Sequence, residues 1–249
     1  MIKPILSLRN VSKSYITSDS ISRLANQKKF VFRDISFDLF KGESIAVLGL
    51  NGAGKSTLLK CISKITSIDS GDISSSGKII SLIEITSGFN ADLTVMENLH
   101  LLLKLEGYKH EDFSKKMDAI KSFIDLDDYL ETPFKYLSSG MKSRVGFGLS
   151  INLDPEILLL DEVLSVGDFI FSQKCYKYLN TIKEHIGIIF VSHSLNAVSI
   201  FCNKAIVLHD KKTKNFSSVP DAIDYFTSKC NQKNKLADAN LFGEEYHDE

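Results

Sequence analysis

The sequence predicts an α/β fold: a mostly parallel, doubly wound sheet with an antiparallel β subdomain and an inserted all-helical lobe. Three observations carry that prediction. An apolar run, Ser44 to Leu48, feeds a glycine-rich loop, Gly49 to Thr57, which opens into the helical pattern Leu58-Leu59-Lys60-Cys61-Ile62. From Asp92 to about Asn152 the apolar residues follow a helical period. From Glu156 onward strand and helix patterns alternate, as parallel strands joined by helical crossovers do.

The elements follow in order. Ile5 to Val11 and Val31 to Phe40 alternate apolar and polar residues and suit half-buried antiparallel strands. Thr17 to Lys29 between them is polar and weakly basic, and reads as an exposed loop. Gly42-Glu43 turns the chain into the strand before the glycine loop. Ser70-Gly71-Asp72 and Ser76-Gly77-Lys78 read as turns bracketing short strands, with Ile79 to Ile85 the longest. Thr94-x-x-Glu97 is a capping box that opens a helix over Val95 to Glu106, with Leu99, Leu102, Leu103 and Leu105 as its apolar residues. Helices over Asp112 to Leu126 and Ser138 to Asn152 complete the lobe. Next come strand Ile157 to Asp161, helix Phe169 to Lys183, strand Ile186 to Val191, helix Ser194 to Phe201 and strand Ala205 to Leu208. Lys211 to Lys214 reads as a charged hairpin turn and Pro220 to Ser228 as a short helix. The polar tail beyond Lys229 is expected to fray.

Bulk properties exclude several classes. The 249 residues are 43% hydrophobic and 24% charged, enough to bury a large core. A formal net charge of -1 and a pI of about 6.6 give a nucleic-acid partner no electrostatic support. Cys61, Cys175, Cys202 and Cys230 show no C-x-x-C spacing and read as reduced thiols of a cytosolic protein. No apolar run reaches the roughly 18 to 20 residues that span a bilayer, and the N-terminus lacks a signal-peptide pattern. The expectation is a soluble, cytoplasmic chain whose dealings with a membrane go through a partner.

The chemistry starts at Gly49-Leu50-Asn51-Gly52-Ala53-Gly54-Lys55-Ser56-Thr57. Strand, G-x-x-x-x-G-K-[ST] and helix together make a phosphate-binding loop. Its glycines let successive N–H groups turn towards phosphate oxygens, and the helix N-terminus adds partial positive charge. Lys55 can reach the β- and γ-phosphates, and the Ser56 hydroxyl can ligate Mg²⁺. The strand Ile157 to Leu160 is continuously apolar, as a strand buried on both faces must be, and ends in Asp161-Glu162. Ligands of such sheets bind beyond the carboxyl ends of the strands. Asp161 is then placed to hold Mg²⁺, directly or through water, and Glu162 to polarise the attacking water. Taken alone, the acidic pair would equally serve to end a strand and cap the next helix. Leu137-Ser138-Ser139-Gly140-Met141, small hydroxyl residues and a glycine at a helix N-terminus, suits a second anion site.

Phosphate loop, helical lobe, LSSGM, apolar strand with DE, and Val191-Ser192-His193-Ser194 come in the order of an ATP-binding-cassette (ABC) ATPase, and the resemblance covers nearly the whole chain. It implies a P-loop NTPase core over residues 1–229, with the helical subdomain inserted at about 92–152 and a polar tail over 230–249. It also implies a homodimer that sandwiches two ATP molecules, with Ser138, Ser139 and Gly140 meeting the γ-phosphate in trans. His193 matches the switch histidine, Asp168 the dimer-contacting aspartate, and Tyr15 the aromatic that stacks on adenine, a contact worth about 1–3 kcal/mol. Glu84 stands where the family has a Mg²⁺-sensing glutamine. Its carboxylate can also ligate Mg²⁺ but changes the local charge. Ser139 and Met141 depart from the family's LSGGQ.

Within the family, Ser87-Gly88-Phe89, Glu97-Asn98, SSGMKSR, FGLS and Glu162 to Asp168 resemble the ATPases of polysaccharide exporters, which move capsular polysaccharide, O-antigen or teichoic-acid precursors across the bacterial inner membrane. That resemblance implies ATP and Mg²⁺ as cofactors and two copies of a permease with about six spans. The chain would then sit at the cytoplasmic face of the membrane, with the polysaccharide reached only through the permease. No carbohydrate-binding domain is expected after the ATPase, which tilts the expectation towards capsule-type export. Two other classes stand beside it: a soluble ABC ATPase acting on nucleic acid or ribosomes, and a nucleotide-binding regulator without turnover. The first would show paired cassettes, a coiled-coil insertion or a basic surface, and the second would lack the carboxylate pair or the histidine.

Overall fold

The computed structural model describes residues 3–17, 27–83, 88–161, 168–192 and 194–242. A six-stranded sheet forms the centre: β3 (Ser44–Leu48), β5 (Ile79–Ser81), β6 (Ile157–Asp161), β7 (Gly187–Val191), β8 (Lys204–His209) and β9 (Lys212–Phe216), ordered β5-β6-β7-β3-β8-β9. Five of these strands run parallel, and β9 returns antiparallel on β8. A second sheet, β1 (Leu6–Thr17), β2 (Gln27–Leu39) and β4 (Ser70–Ser75), is antiparallel with β1 in the middle.

The apolar run of β6 has a direct explanation. Leu158 and Leu160 enter one core, while Ile157 and Leu159 enter another on the opposite face of the sheet. The first core packs the sheet against α2 (Val95–Leu105), α3 (His110–Ile124), α4 (Ser139–Ile151), α5 (Phe169–Ile182), α6 (Leu195–Phe201) and α7 (Val219–Phe242). The second packs it against α1 (Lys55–Ile62) and the β1–β2 sheet. Successive residues of a strand point to opposite faces, so a strand covered on both sides has no polar position.

The capping box at α2 forms as expected: Thr94 Oγ1 accepts the Glu97 N–H at 3.1 Å, and Glu97 accepts the Thr94 N–H at 2.8 Å. Asn98, fully buried, donates to the carbonyls of Asn90, Leu93 and Thr94, and so pins the chain entering the lobe. An aromatic cluster then binds lobe to core. Phe123 of α3 stacks on Phe147 of α4 at 5.7 Å, and both meet Phe171 of α5 edge-on.

Several boundaries differ from the sequence reading. The expected loop 17–29 shrinks, because β1 reaches Thr17 and β2 starts at Gln27, with Tyr15 opposite Lys29 and Ile16 opposite Lys28. Backbone pairing tolerates polar side chains on a ribbon in solvent, so composition alone misplaces its ends; residues 18–26 lie outside the described residues. Of the strand expected over 79–85, β5 takes Ile79–Ser81, with Leu82 N–H still bonding the Leu159 carbonyl at 2.9 Å, and residues 84 and 85 lie outside the described residues. The helix expected over 220–228 runs on to Phe242.

Ser70-Gly71-Asp72, read as a turn, is instead the start of β4 beside an irregularity in β1 between Arg9 and Ser12. Gly71 adopts φ +90°, and a Cβ there would stand 2.4 Å from the Asn10 carbonyl oxygen. Gly71→Ala should therefore lower the unfolding free energy by about 2 kcal/mol or more, as read by urea denaturation. An unchanged midpoint would show that the β1–β4 pairing can slide.

Candidate nucleotide-binding site

β3, covered on both faces, delivers residues 49–57 at the carboxyl edge of the parallel sheet. The Ala53 N–H closes a turn on the Leu50 carbonyl at 3.0 Å, and the Leu58 N–H bonds the Gly54 carbonyl at 2.9 Å as α1 begins. Gly54 takes φ +105°, and a Cβ there would sit 2.5 Å from Val31 Cγ1. It also caps α1 without a side-chain acceptor. The N–H groups that open a helix form an anion-binding set. Lys55 is nearly buried, and its ammonium donates to the carbonyls of Gly49 at 2.9 Å and Leu50 at 3.3 Å. Those neutral acceptors hold the charge inside the loop's own arc, where a phosphate oxygen would make a stronger partner. Ser56 is exposed on the first turn, Thr57 half-buried, and Asn51 and Gly52 exposed.

Asp161 ends β6. Its Oδ1 is the one buried side-chain polar atom without a hydrogen-bond partner among the described residues. Leaving a buried carboxylate oxygen unpartnered is costly, and a hard divalent cation is a partner of matching chemistry. α1, which carries Ser56, packs against β6. A hydroxyl and a carboxylate on adjoining elements beside a phosphate loop are an all-oxygen donor set that fits Mg²⁺. Glu84, Glu162 and His193 lie outside the described residues. Their neighbours Asp161 and Ser192 stand at the ends of β6 and β7, which pair side by side.

A cleft of about 760 Å³ opens beside the loop. Leu50 to Ala53 line one part, Tyr15, Phe30 and Val31 another, and the β8–β9 turn with two residues of α7 a third. Tyr15 is 48% exposed there. Its strand is held by Asp69, whose carboxylate accepts both the Ser14 hydroxyl and the Ser14 N–H (2.7 Å) and lies 3.7 Å from the Lys13 ammonium. That ammonium in turn sits 5.1 Å from the centre of the Tyr15 ring.

A second cleft, of about 420 Å³, gathers Ser138, Ser139, Gly140, Met141, Arg144 and Asp168. Ser138 caps α4, accepting the Met141 N–H at 3.2 Å. Asp168 caps α5 through the Phe171 N–H at 2.8 Å and pairs with Arg144. The Phe171 N–H first, then Arg144, hold the Asp168 carboxyl below its ordinary pKa. The two clefts share no lining residue. The structure thus brings Tyr15 together with residues 50–53, and residues 138–140 together with Asp168, but it does not bring one group to the other.

The family model of ABC transporters matches residues 32–165. The chain belongs to the ABC transporter family. It is similar to the teichoic acids export ATP-binding protein TagH of Bacillus cereus, 36% identical over 249 residues, covering 95% of this chain and 45% of that protein. The chain therefore spans about half the length of that relative. It is also 30% identical to the O-antigen export system ATP-binding protein RfbB of Klebsiella pneumoniae over 241 residues, covering 90% of this chain and 98% of that protein. Among solved structures, the dimeric post-hydrolysis ATP-binding cassette MJ0796 bound to ADP and Pi has a TM-score of 0.71 at 20% identity, covering 84% of this chain and 98% of that one. That likeness shows the fold. Membership of the ABC transporter family agrees with the resemblance read from the motifs, and these relatives bear the names of exporter ATP-binding proteins.

Sequence reasoning gave no role to several residues of this ABC ATPase. Arg144 stood inside SSGMKSR, and its spacing from the Ser138 cap placed it on α4 near the cleft, a usable signal. Asp69 had none, since its partner Ser14 is 55 residues away along the chain. Its carboxyl is held below the ordinary range, first by the Ser14 hydroxyl, with burial opposing, then by the Ser14 N–H, Lys13 and Lys28. A group whose folded pKa is depressed stabilises fully above its unfolded value, and that contribution disappears as pH falls through the folded one. Asp69→Asn should be less stable than the parent chain by about 1 kcal/mol at neutral pH. The difference should shrink below about pH 4, as measured by urea denaturation across a pH series.

Proposed function

We propose that this ATPase drives export of a lipid-linked polysaccharide across the bacterial inner membrane. It works at the cytoplasmic face as a homodimer bound to two copies of a polytopic permease. The observation that carries the dimer is the separation of the two clefts: one chain cannot present Ser138 and Gly140 to its own phosphate loop. Two chains facing each other can, and the MJ0796 cassette, of the same fold, is described as dimeric with ADP and Pi. The export reading is supported by the relatives named for teichoic acids and O-antigen export. Those names favour these two glycan classes over capsular polysaccharide.

The roles follow from the groups present. Tyr15 stacks on the base, and residues 49–57 cradle the phosphates with backbone N–H groups. The Lys55 ammonium exchanges two carbonyls for phosphate oxygens. Ser56 and Asp161 would hold Mg²⁺, with Glu84 as a further carboxylate near it, and the ion when bound supplies positive charge against the β- and γ-phosphates. Glu162 polarises the attacking water and His193 contacts the γ-phosphate. Ser138, Ser139 and Gly140 offer the capped N-terminus of α4 to the same phosphate from the second chain, and Asp168 meets that chain across the interface. Binding that bridges two chains favours the closed state, and hydrolysis releases it, so the permease feels a cycle of closure and opening. The ATPase domain proper takes residues 1–229.

Glu162→Gln should retain ATP binding, lose hydrolysis by about a hundredfold or more and accumulate as a dimer with ATP on size-exclusion chromatography. Full turnover in that variant would remove Glu162 from the chemistry. The export reading is tested by mild-detergent purification of the tagged chain from its native membranes, followed by mass spectrometry. A stoichiometric polytopic protein accompanied by glycan enzymes is the expected result. Ribosomal or DNA-repair proteins without a membrane protein would replace it with the soluble-ATPase reading.

A further inference from the structure

The cleft beside the phosphate loop is also lined by Lys229 and Gln232, which belong to none of the sequence motifs. Stacking on Tyr15 fixes the plane of a base but does not tell one base from another, because every base has a π-face. Discrimination needs a donor and an acceptor set side by side at the base edge. Of the two carboxamides lining the cleft, Asn51 sits in the phosphate loop, while Gln232 comes from α7.

α7 is fastened where it approaches the cleft. Tyr225 packs on Phe216 of β9, ring centres 5.4 Å apart, with the Lys214 ammonium 4.3 Å from the Tyr225 ring. Lys229 and Gln232 follow Tyr225 by successive turns of the same helix, so the three share a face. Lys229 Nζ donates to Gln232 Oε1 at 3.2 Å. An ammonium has no acceptor, so this bond fixes which end of the amide is oxygen. The oxygen keeps a second lone pair, and the amide nitrogen keeps its donors.

We propose that Gln232, oriented by Lys229, reads the base of the bound nucleotide and sets a preference for adenine over guanine. The amide oxygen accepts the adenine 6-amino group while the amide NH₂ donates to a neighbouring ring nitrogen. Guanine presents an acceptor, O6, where adenine presents that donor, and the pairing fails. Lys229 is a positioning residue in this arrangement. The inference rests on the cleft being the ATP site.

The test is equilibrium binding of ATP and GTP to the purified full chain, by competition with a fluorescent ATP analogue. The parent chain and Gln232→Ala, Gln232→Glu and Lys229→Ala are compared. The parent is expected to favour ATP. Gln232→Ala should weaken ATP about five- to tenfold and leave GTP unchanged, and Lys229→Ala should narrow the same gap by less. Gln232→Glu, nearly isosteric, should turn the preference towards GTP, because a carboxylate accepts from the guanine N1–H and 2-amino group. A purely structural role for the helix would weaken both nucleotides alike. An ATP-to-GTP ratio that is the same in all four proteins overturns the proposal while leaving the ATP site intact. A parent chain that binds neither nucleotide overturns both.

Discussion

A parallel strand at the centre of a sheet has two faces to hide, and the layout of this molecule follows from how that is done. β3 is apolar from Ile45 to Leu48 and β6 from Ile157 to Leu160, so each needs a cover on both sides. The β1–β2–β4 sheet and α1 supply one cover and the helices supply the other. The carboxyl edge of these strands is where polar groups follow the apolar runs. Lys55 and Asp161 both stand at that edge. The same arrangement explains why Tyr15 arrives from a different sheet altogether. The antiparallel cover runs past the edge as a ribbon, and Tyr15 sits on the part that overhangs.

The edge is held in readiness at a local energetic cost. A nearly buried ammonium donating to two loop carbonyls, and a buried carboxylate oxygen that has no hydrogen-bond partner among the described residues, are costly placements for polar groups in a protein without a ligand. Both are resolved by one occupant, a phosphate chain carrying a divalent cation. The neighbouring structure is correspondingly firm. Asp69 ties down the strand before Tyr15, Gly54 sits against Val31, and α1 is anchored by fully buried Leu58, Leu59 and Ile62. Firm surroundings are what let an unpartnered carboxylate oxygen persist in place.

How much of this was legible in the sequence depended on the range of the interaction. The phosphate loop, the capping box at Thr94 and the cap at Ser138 are local, made by residues within one or two turns of each other, and each could be read where it stood. The two-faced burial of β6 was legible for a related reason, since the absence of any polar position in Ile157 to Leu160 admits few alternatives. Asp69 escaped because it acts on Ser14 across two strands, and nothing near it in the chain announces that. Gly71 misled because a glycine beside two polar residues normally marks a turn, whereas here it answers a close approach from the Arg9–Asn10 backbone. Gln232 escaped because the stretch beyond Lys229 is polar enough to pass for a frayed tail. Its helix is steadied where it begins by aromatic contacts with β9, which local propensity does not register.

The separation of the two clefts ties these observations to the proposed mechanism. Ser138 and Gly140 sit at the start of α4, and α4 is bound to α5 by the Arg144–Asp168 pair and by the packing of Phe147 on Phe171. Asp168 is therefore tied to the helix that the signature residues open. The phosphate loop follows a strand of the sheet and lines a different cleft. In the proposed dimer, a nucleotide held by the sheet of one chain and the α4–α5 unit of another would connect the two through its γ-phosphate. Losing that phosphate removes the connection without disturbing either body. In the proposed dimer a small chemical change would then give a large relative motion, because the group that the reaction removes is one that both chains hold.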